Sequence, residues 1–132
     1  MYLLDTNILL ELLLNQKKAD DVERLLQNIP VQNLYLTEFS LYSIGIILIR
    51  QKKHSAFFSM VEDLIKQAGV NVLRLLPVDL QHVANYAYYF NLDFDDAYQY
   101  AVAEKYDLTI VSFDSDFDRT PRRRKQPAEI LP

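Results

Sequence analysis

The stretch VSFDSDFDRT, residues 111–120, ends an apolar run and then sets Asp114, Asp116 and Asp118 at alternating positions. Other acids stand at comparable places. Asp5 closes the apolar YLL of residues 2–4, Glu38 follows the apolar LYL of 34–36, and Asp93, Asp95 and Asp96 precede a helical stretch. Carboxylates gathered in one crevice raise one another's pKa and cost stability unless a cation joins them. An all-oxygen ligand set suits hard divalent ions, Mg²⁺ or Mn²⁺. Such ions activate water and stabilise the charge of a phosphodiester undergoing displacement. Each acid also has a plainer role. Asp93 and Asp95 read as favourable charges at a helix N-terminus, Asp5 as a helix cap, Asp116 as a turn residue and Asp118 as a solvated loop residue.

Other chemistries are poorly supported. Cysteine is absent, which removes disulfides and thiolate zinc sites and fits a reducing, cytoplasmic setting. His54 and His82 lie far from any nucleophile motif, and no G-x-S-x-G occurs. Gly45 and Gly69 are the only glycines, so a phosphate-binding loop or dinucleotide fingerprint is impossible. The net charge is -4, unlike a general nucleic-acid binder. Its distribution is uneven, because Arg119, Arg122, Arg123, Arg124 and Lys125 follow the acidic cluster directly. That run can track an RNA backbone, hold a partner's acidic segment or stand as a solvated tail. Tyr86, Tyr88, Tyr89 and Phe90 offer faces for stacking on bases, although helical spacing makes most of them core residues. The N-terminal stretch has acids and no basic leader, and Ile44–Ile49 is far too short to span a bilayer, so no membrane association is expected.

The elements that must position the acids follow from periodicity. Short apolar strands are expected at 2–4, 34–36, 70–76 and 108–113. Helices are expected after Thr6 and Asn7, which can cap the first of them, and then over about 19–28, 37–50, 54–68, 79–90 and the stretch NLDFDDAYQYAVAEKYD. Thr37 caps the third helix, whose apolar surface runs nearly all round over residues 41–49 and points to a subunit contact. The tail from Thr120 holds Pro121, Pro127 and Pro132 and reads as irregular, with a short edge strand near Ile130. Strands alternating with helices give an α/β chain with a parallel sheet covered on both faces, in a single domain over residues 1–132. In such sheets functional groups lie beyond the carboxyl ends of the strands, at a switch in strand order. Asp5, Glu38, Asp114 and Asp116 fall there by position.

LLDTNILL together with DFDDAYQYAVAEKYDLTIVSFDSDF resembles the PIN-domain family, which includes the VapC-type toxin ribonucleases. The resemblance spans nearly the whole chain. It implies a three-layer α/β/α sandwich around a mainly parallel sheet of four or five strands. It also implies Mg²⁺ or Mn²⁺, and hydrolysis of single-stranded RNA that leaves a 5′-phosphate. Asp5, Asp96 and Asp114 match the family's metal-holding acids, and Asp116 the acid that often follows. The family usually has a Glu inside the helix after the second strand. An ungapped alignment puts Ser43 there, with Glu38 the nearest acid and so its candidate replacement. Ser112 lies in the Ser/Thr slot before Asp114. Thr6, Asn7 and Ser112 can hydrogen-bond a neighbouring carboxylate or the metal's water, while also serving as cap and strand residues. The resemblance further implies a homodimer and a cognate antitoxin. The Ser43 departure leaves a second reading open, a PIN-like module without catalysis that binds RNA or a protein partner.

Overall fold

Leu3 and Leu4 are both fully buried, yet they lie in different cores. Successive side chains of a strand point to opposite faces, so β1, Tyr2–Leu4, has helices on both sides. In the computed structural model, which describes residues 1–131, β1 pairs in parallel with β2 (Leu34–Thr37) and β4 (Thr109–Val111). β3 (Asn71–Leu73) pairs with β2, giving a four-stranded all-parallel sheet of order β3-β2-β1-β4. Pro132 of the tail described above lies outside the described residues.

The layers follow. α1 (Thr6–Leu13), α2 (Ala19–Asn28), α3 (Glu38–Arg50) and α4 (His54–Met60) cover one face with Leu4, Leu36 and Val111. A π-helical turn, Val61–Gln67, continues α4 where one longer helix is expected. α5 (Leu80–Phe90) and α6 (Phe94–Tyr106) cover the other face with Leu3 and Ile110. β1 and β4 therefore read as apolar runs because both faces are dry. β3 lies at the sheet edge with Val72 exposed, and it is much shorter than the apolar 70–76 implies.

Two features position the acids. All eight residues from Asp96 to Ala103 are buried, so α6 is an interior helix. Alanines at 97, 101 and 103 keep it slim, and the Tyr98 hydroxyl accepts a hydrogen bond from the Leu75 N–H at 2.8 Å. With so few glycines, α5 and α6 end on Asn91 and Asp107 in the left-handed region, at φ 52° and 55°. The second feature is Phe117, fully buried in the α5–α6 core from a 3₁₀ turn, Ser115–Arg119, that carries Asp116.

The tail corrects one expectation. Lys125, not Ile130, meets the sheet, through a single parallel bridge to Val111 that adds no fifth strand. Ile130 ends a short helix, α7 (Pro127–Ile130). Among the described residues no helix is long and apolar enough to cross a membrane. Phe117→Ala should cost about 3–5 kcal/mol by leaving a core cavity under the acidic turn, measured by urea unfolding.

Candidate functional site

β1 and β4 are neighbours, so the residues just beyond their carboxyl ends meet. Asp5 caps α1, its Oδ1 accepting from the Thr6 N–H at 2.7 Å. The cap is thus Asp5, and Thr6 and Asn7 are the first helical residues. Ser112, fully buried, donates its hydroxyl to Asp5 Oδ2 at 2.7 Å. Ser112 Oγ in turn accepts from the Asp114 N–H at 2.9 Å and from Asn7 Nδ2 at 3.2 Å. Asn7 Oδ1 accepts from the Phe113 N–H at 3.3 Å, and Asp114 Oδ1 from the Asp116 N–H at 2.8 Å. The turn after β4 is therefore wired to the start of α1.

Asp96 comes to this place from α6. Carboxylate oxygens of Asp96, Asp114 and Asp116 lie within 4.8 Å of one another, and so do those of Asp93, Asp95 and Asp96. Asp5 belongs to neither triplet, but it is close enough to repel Asp96. Burial pushes the Asp5 pKa up to about 6, against the lowering effect of its hydrogen bonds to Ser112 and Thr6. Burial, followed by the charges of Asp5 and Asp114, pushes Asp96 up to about 8. The donor set is all oxygen and crowded enough to hold protons near neutrality. It suits a hard divalent cation, which would replace those protons.

The PIN domain family model matches residues 2–123. The chain belongs to the PIN domain family. Among curated proteins none matches it in sequence. Solved structures agree on the fold of this PIN domain. A toxin–antitoxin complex from Klebsiella pneumoniae aligns with TM-score 0.74 at 16% identity, covering 96% of this chain and 98% of that one. FitAcB from Neisseria gonorrhoeae aligns at 0.76 and 20% identity, covering 98% and 100%. VapC20 from Mycobacterium tuberculosis, described as a sarcin–ricin loop-cleaving toxin, aligns at 0.76 and 19%, covering 89% and 93%.

The α3 side of this PIN domain differs in character. Glu38, half-buried at the start of α3, joins neither carboxylate triplet. Ser43 is half-buried, whereas Ser40, one turn earlier, is fully buried. Ser40 Oγ accepts from Thr6 Oγ1 at 2.9 Å and from Gln99 Nε2. Gln99 Nε2 also reaches Thr37 Oγ1 at 3.4 Å, and that oxygen caps α3 through the Ser40 N–H. Gln99 Oε1 is buried without a partner. Sequence reasoning missed Ser40 and Gln99. The available signal was Gln99's position, one turn after Asp96 on the same helix.

The basic run is mostly engaged internally. Arg122 pairs with Glu104 at 2.8 Å and Asp107 at 3.0 Å and donates to the Leu108 carbonyl. Arg123 and Arg124 both reach Asp118, which is clamped rather than freely solvated. Arg119 pairs with Asp116 at 3.2 Å, and Lys125 is exposed. Of the tyrosines, Tyr88 and Tyr89 are well exposed, while Tyr86 and Phe90 pack on Tyr100.

The raised pKa values set a pH dependence. Asp5 and Asp96 keep protons in the native state after the unfolded chain has lost them, at the ordinary 3.8. Metal-free stability is therefore greatest below that value and falls as pH rises through about 6 and about 8. Asp96→Asn removes the larger share. Thermal unfolding in EDTA should give Asp96→Asn a midpoint about 5 °C above wild type at high pH and little difference in acid. Equal offsets at both pH values would mean that Asp96 does not carry this penalty.

Proposed function

We propose that this PIN domain is a divalent-metal-dependent endoribonuclease that cleaves single-stranded RNA and serves as the toxin of a toxin–antitoxin pair. The observation that carries this reading is the convergence of Asp96, Asp114 and Asp116 within 4.8 Å, beside buried Asp5, beyond the ends of adjacent strands. Asp96, Asp114 and Asp116 would hold Mg²⁺ or Mn²⁺, with Asp5 beside them. Such an ion supplies charge neutralisation at the phosphate and a more acidic water.

The protein's own groups do the rest. Ser112 and the Thr6 N–H fix both oxygens of Asp5, so that carboxylate cannot rotate away. The Ser112–Asp114 and Asp114–Asp116 hydrogen bonds set the acidic turn before any substrate arrives. Hydrolysis adds water to phosphorus and breaks the bond to the 3′ oxygen, giving a 5′-phosphate and a 3′-hydroxyl. Family membership supports nuclease chemistry. The fold shared with VapC20 and with the Klebsiella pneumoniae toxin–antitoxin complex supports the toxin role and an antitoxin partner. A second copy of the chain is the expected partner of α3, which exposes Tyr42, Ile46 and Ile49 beside Phe57 of α4.

One observation favours a second reading, a domain that binds RNA or protein without cutting. On the α3 side Glu38 joins neither carboxylate triplet, and the buried Ser40 hydroxyl bonds Thr6 and Gln99. Fewer charged ligands mean weaker metal binding.

Labelled single-stranded RNA, incubated with Mn²⁺ or with EDTA, separates the two. Wild type should cut only with metal, and Asp96→Asn should lose at least about 100-fold in rate while keeping its fold. Equal cleavage by both proteins would sink the assignment. Failure of the wild type to bind millimolar Mn²⁺ by calorimetry would select the second reading. In sedimentation, Ile46→Glu should turn a dimer into a monomer, because a charge on the α3 patch cannot be buried unpaired.

A further inference from the structure

Among the described residues, one cation makes an ion pair with a carboxylate of the two triplets. Arg119 Nη2 lies 3.2 Å from Asp116 Oδ1. The other arginines of the basic run pair with carboxylates outside the two triplets, Glu104, Asp107 and Asp118, and Arg124 also donates to the Ser112 carbonyl at 3.4 Å. Lys18, the nearest lysine of the α1–α2 connection, sits over the Phe113 ring and donates to Gln126.

The Arg119–Asp116 pair is local and easily opened. The two residues are three apart on a 3₁₀ turn, where such side chains eclipse, and both side chains are more than 40% exposed. Exposed pairs of this kind are weak. Asp116 also belongs to the triplet with Asp96 and Asp114. A divalent ion drawn by three carboxylates competes with one guanidinium for Asp116. Once freed, the guanidinium stays on the same turn, at the rim of the centre. A phosphate brought there is its natural partner, because the planar fork of arginine matches two phosphate oxygens.

We propose that Arg119 is a catalytic residue of the RNA-cleaving reaction, paired with Asp116 in the metal-free protein and turned to the scissile phosphate when a divalent cation takes Asp116. This rests on the nuclease reading above. In that role it stabilises charge on the non-bridging oxygens as water adds and the bond to the 3′ oxygen breaks. It also keeps Asp116 neutralised while no metal is bound, which spares the triplet part of its own repulsion.

The test uses Arg119→Gln and Arg119→Lys with two readouts. Calorimetry with Mn²⁺ alone should show Arg119→Gln binding about two- to five-fold tighter than wild type, since the competitor is gone. Single-turnover cleavage at saturating Mn²⁺ should be about 100-fold slower for Arg119→Gln, with Arg119→Lys between the two. Opposite signs in the two readouts are not what a damaged fold gives, because damage weakens both. Unchanged cleavage by Arg119→Gln, or unchanged Mn²⁺ affinity, overturns the proposal. A wild type that binds Mn²⁺ yet cuts no RNA overturns the nuclease reading instead. In that event inorganic phosphate serves as the probe. Its binding must strengthen with Mn²⁺ in wild type and not in Arg119→Gln, or the turn toward phosphate is refuted as well.

Discussion

The hydroxyl of Ser112 has one proton to give and two lone pairs, and it uses all three without contact with water. It donates to Asp5, and it accepts from the Asp114 N–H and from Asn7. Through it the end of β1, the turn after β4 and the first turn of α1 share one atom. A buried carboxylate such as Asp5 needs a donor on each oxygen, and its other oxygen takes the Thr6 N–H. The centre can hold charge because this small network lowers the cost of taking it out of water. The sheet order makes the network possible. Only adjacent strands can bring residue 5 and residue 112 within one hydrogen bond, and β1 and β4 are adjacent.

The helix opposite supplies the strain. α6 is buried over Asp96–Ala103, so its first turn is driven into the crevice whether or not a cation waits there. Its aspartates gain from the N-terminal end of the helix dipole. Asp96 nevertheless ends with a pKa near 8, because burial and the charges of Asp5 and Asp114 outweigh that gain. One turn along, Gln99 carries the helix into a neutral layer of Ser40, Thr37 and Thr6. The centre is thus acidic toward β1, β4 and α6 and neutral toward α3. Gln99 Oε1, buried without a partner, marks the place where this layer is least satisfied.

Much of this was legible before any coordinates. The strands around 2–4 and 34–36 and the Thr37 cap appear nearly where periodicity put them. They are short, fully buried or bounded by strong caps, and local chemistry dominates there. The elements at the rim were harder. Nothing in VNVLRLL says that its latter half leaves the sheet, since an edge strand is shortened by missing neighbours and not by composition. The basic run looked uniform in sequence, yet its members differ in partner. Arg122 closes the end of α6, Arg123 and Arg124 clamp Asp118, and among them Arg119 is the one that pairs with a carboxylate of the triplets. Ser43 and Ser40 are the same residue type one helical turn apart. Only the rotation of α3 about its axis decides which one meets Thr6.

The sequence by itself determined the alternation of strand and helix, the acids at the strand ends, and the family, because apolar spacing and short carboxylate motifs are local properties. Tertiary structure alone decided which carboxylates share a cation's reach, which take up protons, and which arginine stands beside them. Those outcomes depend on how separate elements meet, as in the bond from Ser112 to Asp5 across 107 positions and the approach of Asp96 on α6 to the turn after β4. They depend equally on how completely α6 is sealed from water, and burial of that kind is a property of the packed whole.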